Sequence, residues 1–329
     1  MSRLLVLCKP LFASSARWRA IAALSATLTL ALALNALNVV NSYVGRNFMT
    51  AISHRDHQQY VRFAVMFAGV FVASTIVAVV DQYVQDRLAL MWRYWLTHDL
   101  VDRYLSGHTV ERIIERKKID NPDQRITDDV RTFTSSFLAF VVMVVNAILT
   151  TIAFAGVLWS ITPRLFIGAV LYAASGTVLT VLLGRRLVDL NNQQLKKEAD
   201  LRYALIHLRV QGKPTDAKGM RVESRHIRSR LRRVIHNSRA VIAVTRNVAF
   251  FTSGYNYMVQ LVPIVIIAPR YLRGEVEFGV VTQSAMAFAQ ILGALSLIIG
   301  QFHGLSAFAA VIRRLGSLRE ELEHHAPAY

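Results

Sequence analysis

Residues 132–163 read TFTSSFLAFVVMVVNAILTTIAFAGVLWSITP, 32 positions without an Asp, Glu, Lys or Arg. An α-helix rises about 1.5 Å per residue and a bilayer's hydrocarbon core is about 30 Å thick, so about 20 apolar residues cross it. Five further uncharged runs occupy 20–45, 63–80, 165–184, 247–269 and 278–312, which are 26, 18, 20, 23 and 35 residues long. The shortest follows Arg62, whose charged head can snorkel to the membrane surface. Six spans are expected, at about 20–45, 63–82, 133–160, 165–184, 247–269 and 279–303, making 1–329 a single all-α integral membrane domain.

The 329 residues are 53% hydrophobic and 18% charged, which excludes a disordered chain. The lone Cys8 excludes an intrachain disulfide framework and a multi-cysteine zinc site. Lys+Arg number 38 against 21 Asp+Glu, a formal charge of +17, and these charges lie in blocks between the apolar runs. A basic face interleaved with aromatics on a soluble scaffold is not what this distribution describes, so nucleic acid is not the expected partner. With the N-terminus inside, 32 of the 38 basic residues fall on the cytoplasmic side and 6 outside, so the positive-inside rule places both termini in the cytoplasm. A cleaved signal is disfavoured because the first apolar run exceeds the usual signal core of about 7–15 residues.

The gaps after the second and fourth spans are too long and too periodic for loops. Tyr83, Leu88, Leu90, Trp92, Trp95, Leu96, Leu100 and Tyr104 recur at helical spacing, so the second span continues as a helix to a turn near Ser106-Gly107. Charge returns over Glu111–Asp120. The segment 185–208 lacks Pro and Gly, breaks at Gly212-Lys213-Pro214 and resumes as a basic helix through Arg228, Arg230, Arg232 and Arg233. Between these helices, Asn121-Pro122 favours a turn and Asp123 is expected to cap the helix that follows, with Asp128 and Asp129 in its first turns.

The stretch Asn121-Pro122-Asp123-Gln124-Arg125-Ile126-Thr127-Asp128 resembles the "NPDQR" segment of a membrane-domain family. That family includes the subfamily D (peroxisomal fatty-acyl) ATP-binding-cassette half-transporters, their bacterial relatives and the SbmA/BacA peptide-uptake proteins. Three more stretches are similar to it: Glu198-Ala199-Asp200-Leu201-Arg202-Tyr203, Ala268-Pro269-Arg270 with Gln283 and Ala287-Phe288, and Arg313-Arg314-Leu315. The resemblance implies the exporter (type 1) fold, six helices with long cytoplasmic extensions, a homodimer in a bacterial inner membrane, and transport by alternating access. It makes Asn121, Pro122, Asp123, Gln124, Arg125 and Asp128 a structural joint, and Glu198, Asp200 and Arg202 candidates for a coupling helix. Arg125 is expected to pair with Glu198 or Asp200 of either protomer.

Two departures qualify the resemblance. No G-x-x-x-x-G-K-[ST] loop occurs, so the chain is expected to bind no ATP or other cofactor itself, and no metal. ATP would act through a nucleotide-binding domain carried on another chain or lost by truncation. The segment 210–221, VQGKPTDAKGMR, departs from the family's coupling stretch. Inside the spans, polar groups need partners or a wet cavity. Asn35, Asn38, Asn146, Asn256, Gln260 and Gln290 are the cavity candidates, with interhelical hydrogen bonding as the plainer role for each. The expected function is the membrane subunit of an ATP-driven transporter. An SbmA/BacA-like proton-driven peptide carrier and a purely structural subunit are the alternatives; few carboxylates lie within the spans, Asp81 being the exception.

Overall fold

The computed structural model describes residues 2–13, 15–106, 120–211 and 217–323. The expected features at 107–119 and the break at 212–214 lie outside them. Among the described residues there is no strand, and eight helices hold most of them: α1 (Ser2–Ala13), α2 (Arg17–Ser53), α3 (His57–Leu105), α4 (Val130–Ile161), α5 (Pro163–Gln211), α6 (Ala217–Leu272), α7 (Phe278–Gly300) and α8 (Phe302–Glu323). Six of these, α2 to α7, are long and apolar enough to cross a membrane. At 49 residues α3 is roughly 70 Å long, more than twice a hydrocarbon core, so the extension read from the sequence is present.

Local chemistry sets the ends of the helices. Arg55 turns with φ 56°, and the Asp56 side chain accepts the Gln59 amide at 3.0 Å to start α3. Pro163 stops α4 and opens α5, a position where its missing N–H costs nothing. On the sixth span, expected at 279–303, α7 ends at Gly300, Gln301 turns, and the amphipathic α8 begins. The basic leader before the first span is itself folded: α1 buries Leu7 and Leu11, four residues apart on one face.

The chain forms two compact units, Met1–Phe166 with Pro263–Tyr329, and Ile167–Val262. In the first, α7 lies so close to α2 that a Cβ at Gly279 would overlap the Arg46 carbonyl oxygen, and Gln283 Nε2 donates to Ser42 Oγ at 3.2 Å. Its hydrophobic core gathers at one end, from Leu7 and Leu11 of α1, Leu88, Trp92, Leu96 and Leu100 of α3, Val130 and Phe133 of α4, and Phe308, Leu315 and Leu318 of α8. Trp92 packs edge-on to Phe133 at 5.4 Å and donates Nε1 to the Leu7 carbonyl at 3.4 Å, fastening α1 to α3. Burying each such side chain contributes about 1.5–3 kcal/mol. Elsewhere the apolar face points outward: Val65, Phe71, Ile76 and Ile152 are more than half exposed, as a bilayer solvent requires.

The second unit pairs the α5 and α6 stretches antiparallel. Tyr172 and Tyr255 stack at 4.3 Å and each hydroxyl donates to the other's carbonyl, at 2.6 and 2.9 Å, where Gly176 leaves room for the Tyr255 ring. Asn237 is buried with its amide satisfied: Nδ2 donates to Leu190 O at 3.0 Å and Gln194 Oε1 at 2.8 Å, and Oδ1 accepts from Lys197 Nζ at 2.8 Å. A fully partnered buried amide fixes the register of the two helices, since any slip would orphan it.

Candidate functional site: the joint between α3 and α4

Asn121 enters the joint left-handed, at φ 48° and ψ 65°, a conformation that Asn tolerates better than most chiral residues. Pro122 then holds the first position of a single turn, Pro122–Gln124. This places Asn121 at the cap position, although its side chain makes no capping bond. The capping role expected of Asp123 is therefore not realised. The turn starts one residue earlier, and Asp123 lies within it, exposed, its carboxylate near the positive helix end and its carbonyl accepting Thr127 Oγ1 at 2.8 Å. Gln124 is exposed.

Arg125–Asp129 form a π turn, a wider coil that often marks working parts of helices. Ile126, Asp129, Val130 and Phe133 are all buried, whereas Asp128 stays exposed beside Arg131 at 3.3 Å. The Asp129 side chain is 8% exposed and accepts both Nε and Nη2 of Arg314, each at 2.7 Å. This bidentate contact is the strong form of a charge-assisted pair, and it holds the Arg314 guanidinium above its usual range. Arg125 reaches the same helix in return, its Nη1 donating to the Arg314 carbonyl at 3.1 Å and to Ser317 Oγ at 2.9 Å, while Nε donates to Asp120 O at 3.1 Å. One turn further on, buried Arg319 places Nη1 3.5 Å from Asp99 Oδ2 of α3, and Asp99 also takes Arg103 at 3.0 Å. Three charged contacts thus fasten α8 to the joint and to α3.

Within its own unit Arg125 is held by α8, which packs on the joint and offers the Arg314 carbonyl and the Ser317 hydroxyl as acceptors. In the other unit Glu198 Oε1 takes Gln194 Nε2 at 2.9 Å, the Asp200 carbonyl takes Arg230 Nη1 at 2.7 Å, and Arg202 is exposed. The residues that sequence reasoning missed are Asp129 as the inward carboxylate, Ser317 and Asn237. One signal was available for Asp129: it interrupts the Ile126, Val130, Phe133 stripe, and a carboxylate in an apolar stripe calls for a cation.

Among the cavity candidates, the structure brings Asn35 and Asn146 together. Asn35 is buried, donates to Ala31 O at 2.9 Å and to Asn146 Oδ1 at 3.5 Å, and accepts Thr150 Oγ1 at 2.7 Å, which is the interhelical role. Asn38 and Gln290 are half-buried, and Asn256 and Gln260 are exposed. Asp81 is buried with Oδ2 accepting Gln85 Nε2 at 2.9 Å and Oδ1 without a hydrogen bond.

Residues 7–272 match the family described as ABC transporter transmembrane region 2. The chain belongs to this family. As an ABC transmembrane domain it is 37% identical over 303 residues to ABC transporter D family member 2, chloroplastic, of Arabidopsis thaliana, covering 92% of this chain and 43% of that protein. It is 36% identical over 310 residues to an uncharacterised ABC transporter ATP-binding protein of Synechocystis, covering 93% and 47%. The human lysosomal cobalamin transporter ABCD4 is 24% identical over 282 residues, covering 82% and 46%. The domain spans about half the length of these curated relatives. The joint, Asp129 included, lies inside the matched segment, and Arg314 lies beyond it.

Proposed function

We propose that this chain is the membrane-spanning part of an ABC transporter that moves its substrate across a bacterial inner membrane by alternating access, as a homodimer with both termini in the cytoplasm. ATP would be bound and hydrolysed by a nucleotide-binding domain working with it. The observation that carries this reading is the double attachment of the joint to α8, Asp129 to the Arg314 side chain and Arg125 to the Arg314 carbonyl. A helix bolted through charged groups to the turn between two spans can pass a displacement into both of them, because packed elements shift as rigid bodies between discrete arrangements. Two relatives named for ATP binding or for the D family favour the ATP-driven reading over the proton-driven carrier.

The test is accessibility. With Cys8→Ser as background and single cysteines at Gln290 or Asn38, a membrane-impermeant maleimide is applied to right-side-out and inverted vesicles containing the complete transporter. Alternating access requires labelling to move from one face to the other on adding ATP with magnesium, and Asp129→Asn with Arg125→Gln to suppress that movement while ATP hydrolysis continues. Labelling from one face in every nucleotide state refutes the reading. Reporters inserted within 211–221 should read cytoplasmic and one near Asp56 outside; the reverse would invert the topology.

A further inference from the structure

The first unit carries a cleft of about 700 Å³ where α2 begins, lined by Ala16, Arg19 and Ala23 on one side and by Arg87, Met91, Trp95 and their neighbours of α3 on the other. Arg19 and Arg87 come from different helices into one cavity whose lining holds no carboxylate. Among the described residues neither arginine makes an ion pair, although Asp99, Asp128, Asp129 and Glu275 all find cations nearby. Two arginines in one cleft with no carboxylate beside them give it a positive potential, so the cavity is complementary to a negatively charged group.

The depth of the cleft names the class of anion. Arg19 directly precedes the uncharged run that begins at Ala20, so it stands where lipid phosphates stand. Arg17 lies 5.4 Å over the ring of Trp18, which is 68% exposed, and such an amphipathic ring marks the headgroup level. Ala23, Leu88, Leu90 and Met91 make the walls apolar beyond the two arginines. Leu88 also lines a neighbouring cavity of about 380 Å³ whose walls are mostly apolar, among them Phe12, Leu24, Trp92, Phe137 and Val141, with Lys9 at its edge. A free phosphate would leave these apolar walls facing water, whereas an amphiphile satisfies both ends.

We propose that this cleft is a binding site for an anionic phospholipid of the inner leaflet, its phosphate bridging Arg19 and Arg87 and its chains lying against α2 and α3. The lipid would brace the elbow between α1 and α2 against α3. The site is separate from the joint and from the polar groups inside the spans, and it does not depend on the transport reading.

The purified chain, stripped of lipid in detergent, is titrated with dioleoyl phosphatidylglycerol or dioleoyl phosphatidylcholine and bound lipid is counted by native mass spectrometry. Phosphatidylglycerol should bind in preference, and Arg19→Gln with Arg87→Gln should weaken it about thirtyfold, two surface charges' worth. Arg19→Lys with Arg87→Lys should restore most of that preference, while Arg17→Gln and Arg93→Gln, outside the cleft, should leave it unchanged. Equal binding of the two lipids, or an unchanged preference in the double glutamine variant while it runs as the wild type on size exclusion, overturns the proposal. So does displacement of the lipid by millimolar inorganic phosphate, which would mark a simple anion pocket.

Discussion

The contact between Asp129 and Arg314 should behave asymmetrically when broken from its two sides. The Asp129 side chain is 8% exposed and that of Arg314 48%. Arg314→Gln leaves a carboxylate buried beside Ile126, Val130 and Phe133 with its cation gone, a loss of about 3 kcal/mol. Asp129→Asn leaves a guanidinium that is half in water and keeps one amide oxygen as acceptor, so the loss should be about 1 kcal/mol. The double variant should lose less than the sum of the two, because it removes the stranded charge. Unfolding of the purified protein can be followed by tryptophan fluorescence, since Trp92 sits in the same core as Val130 and Leu315. Equal losses from the two single variants, or strictly additive losses in the double, would refute this account of the site.

Two further outcomes follow from the geometry. Gly279→Ala should reduce the folded, membrane-inserted fraction, by about 1–3 kcal/mol of overpacking, because its Cβ would overlap the Arg46 carbonyl, while Gly293→Ala, which meets nothing within 4 Å, should be neutral or slightly stabilising; wild-type behaviour of Gly279→Ala would mean that α2 and α7 are not in close contact. In the turn between α6 and α7, the Arg273 guanidinium at 2.6 Å, helped by Arg270 at 3.0 Å, holds the Glu275 carboxyl below its ordinary 4.5. The two pairs are therefore intact at neutral pH, persist below 4.5, and are lost only as pH falls through the lowered value. A carbon-13 titration of Glu275 should give a midpoint below 4.5 that rises in Arg273→Gln, and a midpoint at or above 4.5 in the wild type would contradict the pairing.

The six uncharged runs were enough to show six membrane-length helices, because backbone groups in hydrocarbon must be paired within the helix and side-chain charges there are costly. That information is local, one helix at a time. The long extensions of α3, α5 and α6 were legible for the same reason, since unbroken helix formers with an apolar stripe announce themselves without a partner. The Asn121–Asp128 stretch was legible as a turn, but its partner was not. Asp128 and Asp129 are adjacent and chemically identical; Asp129 shares the face of Ile126, Val130 and Phe133, but its cation lies 185 residues away in sequence, on α8. Arg125, read as seeking a carboxylate, found a carbonyl and a hydroxyl on that same helix. Asn35 and Asn146, 111 residues apart, met across α2 and α4, as two polar groups in neighbouring helices do when apolar surroundings leave them no better partner. Periodicity specifies which face of a helix is buried. Which groups face each other across it depends on how the helices pack, and this the tertiary structure decided.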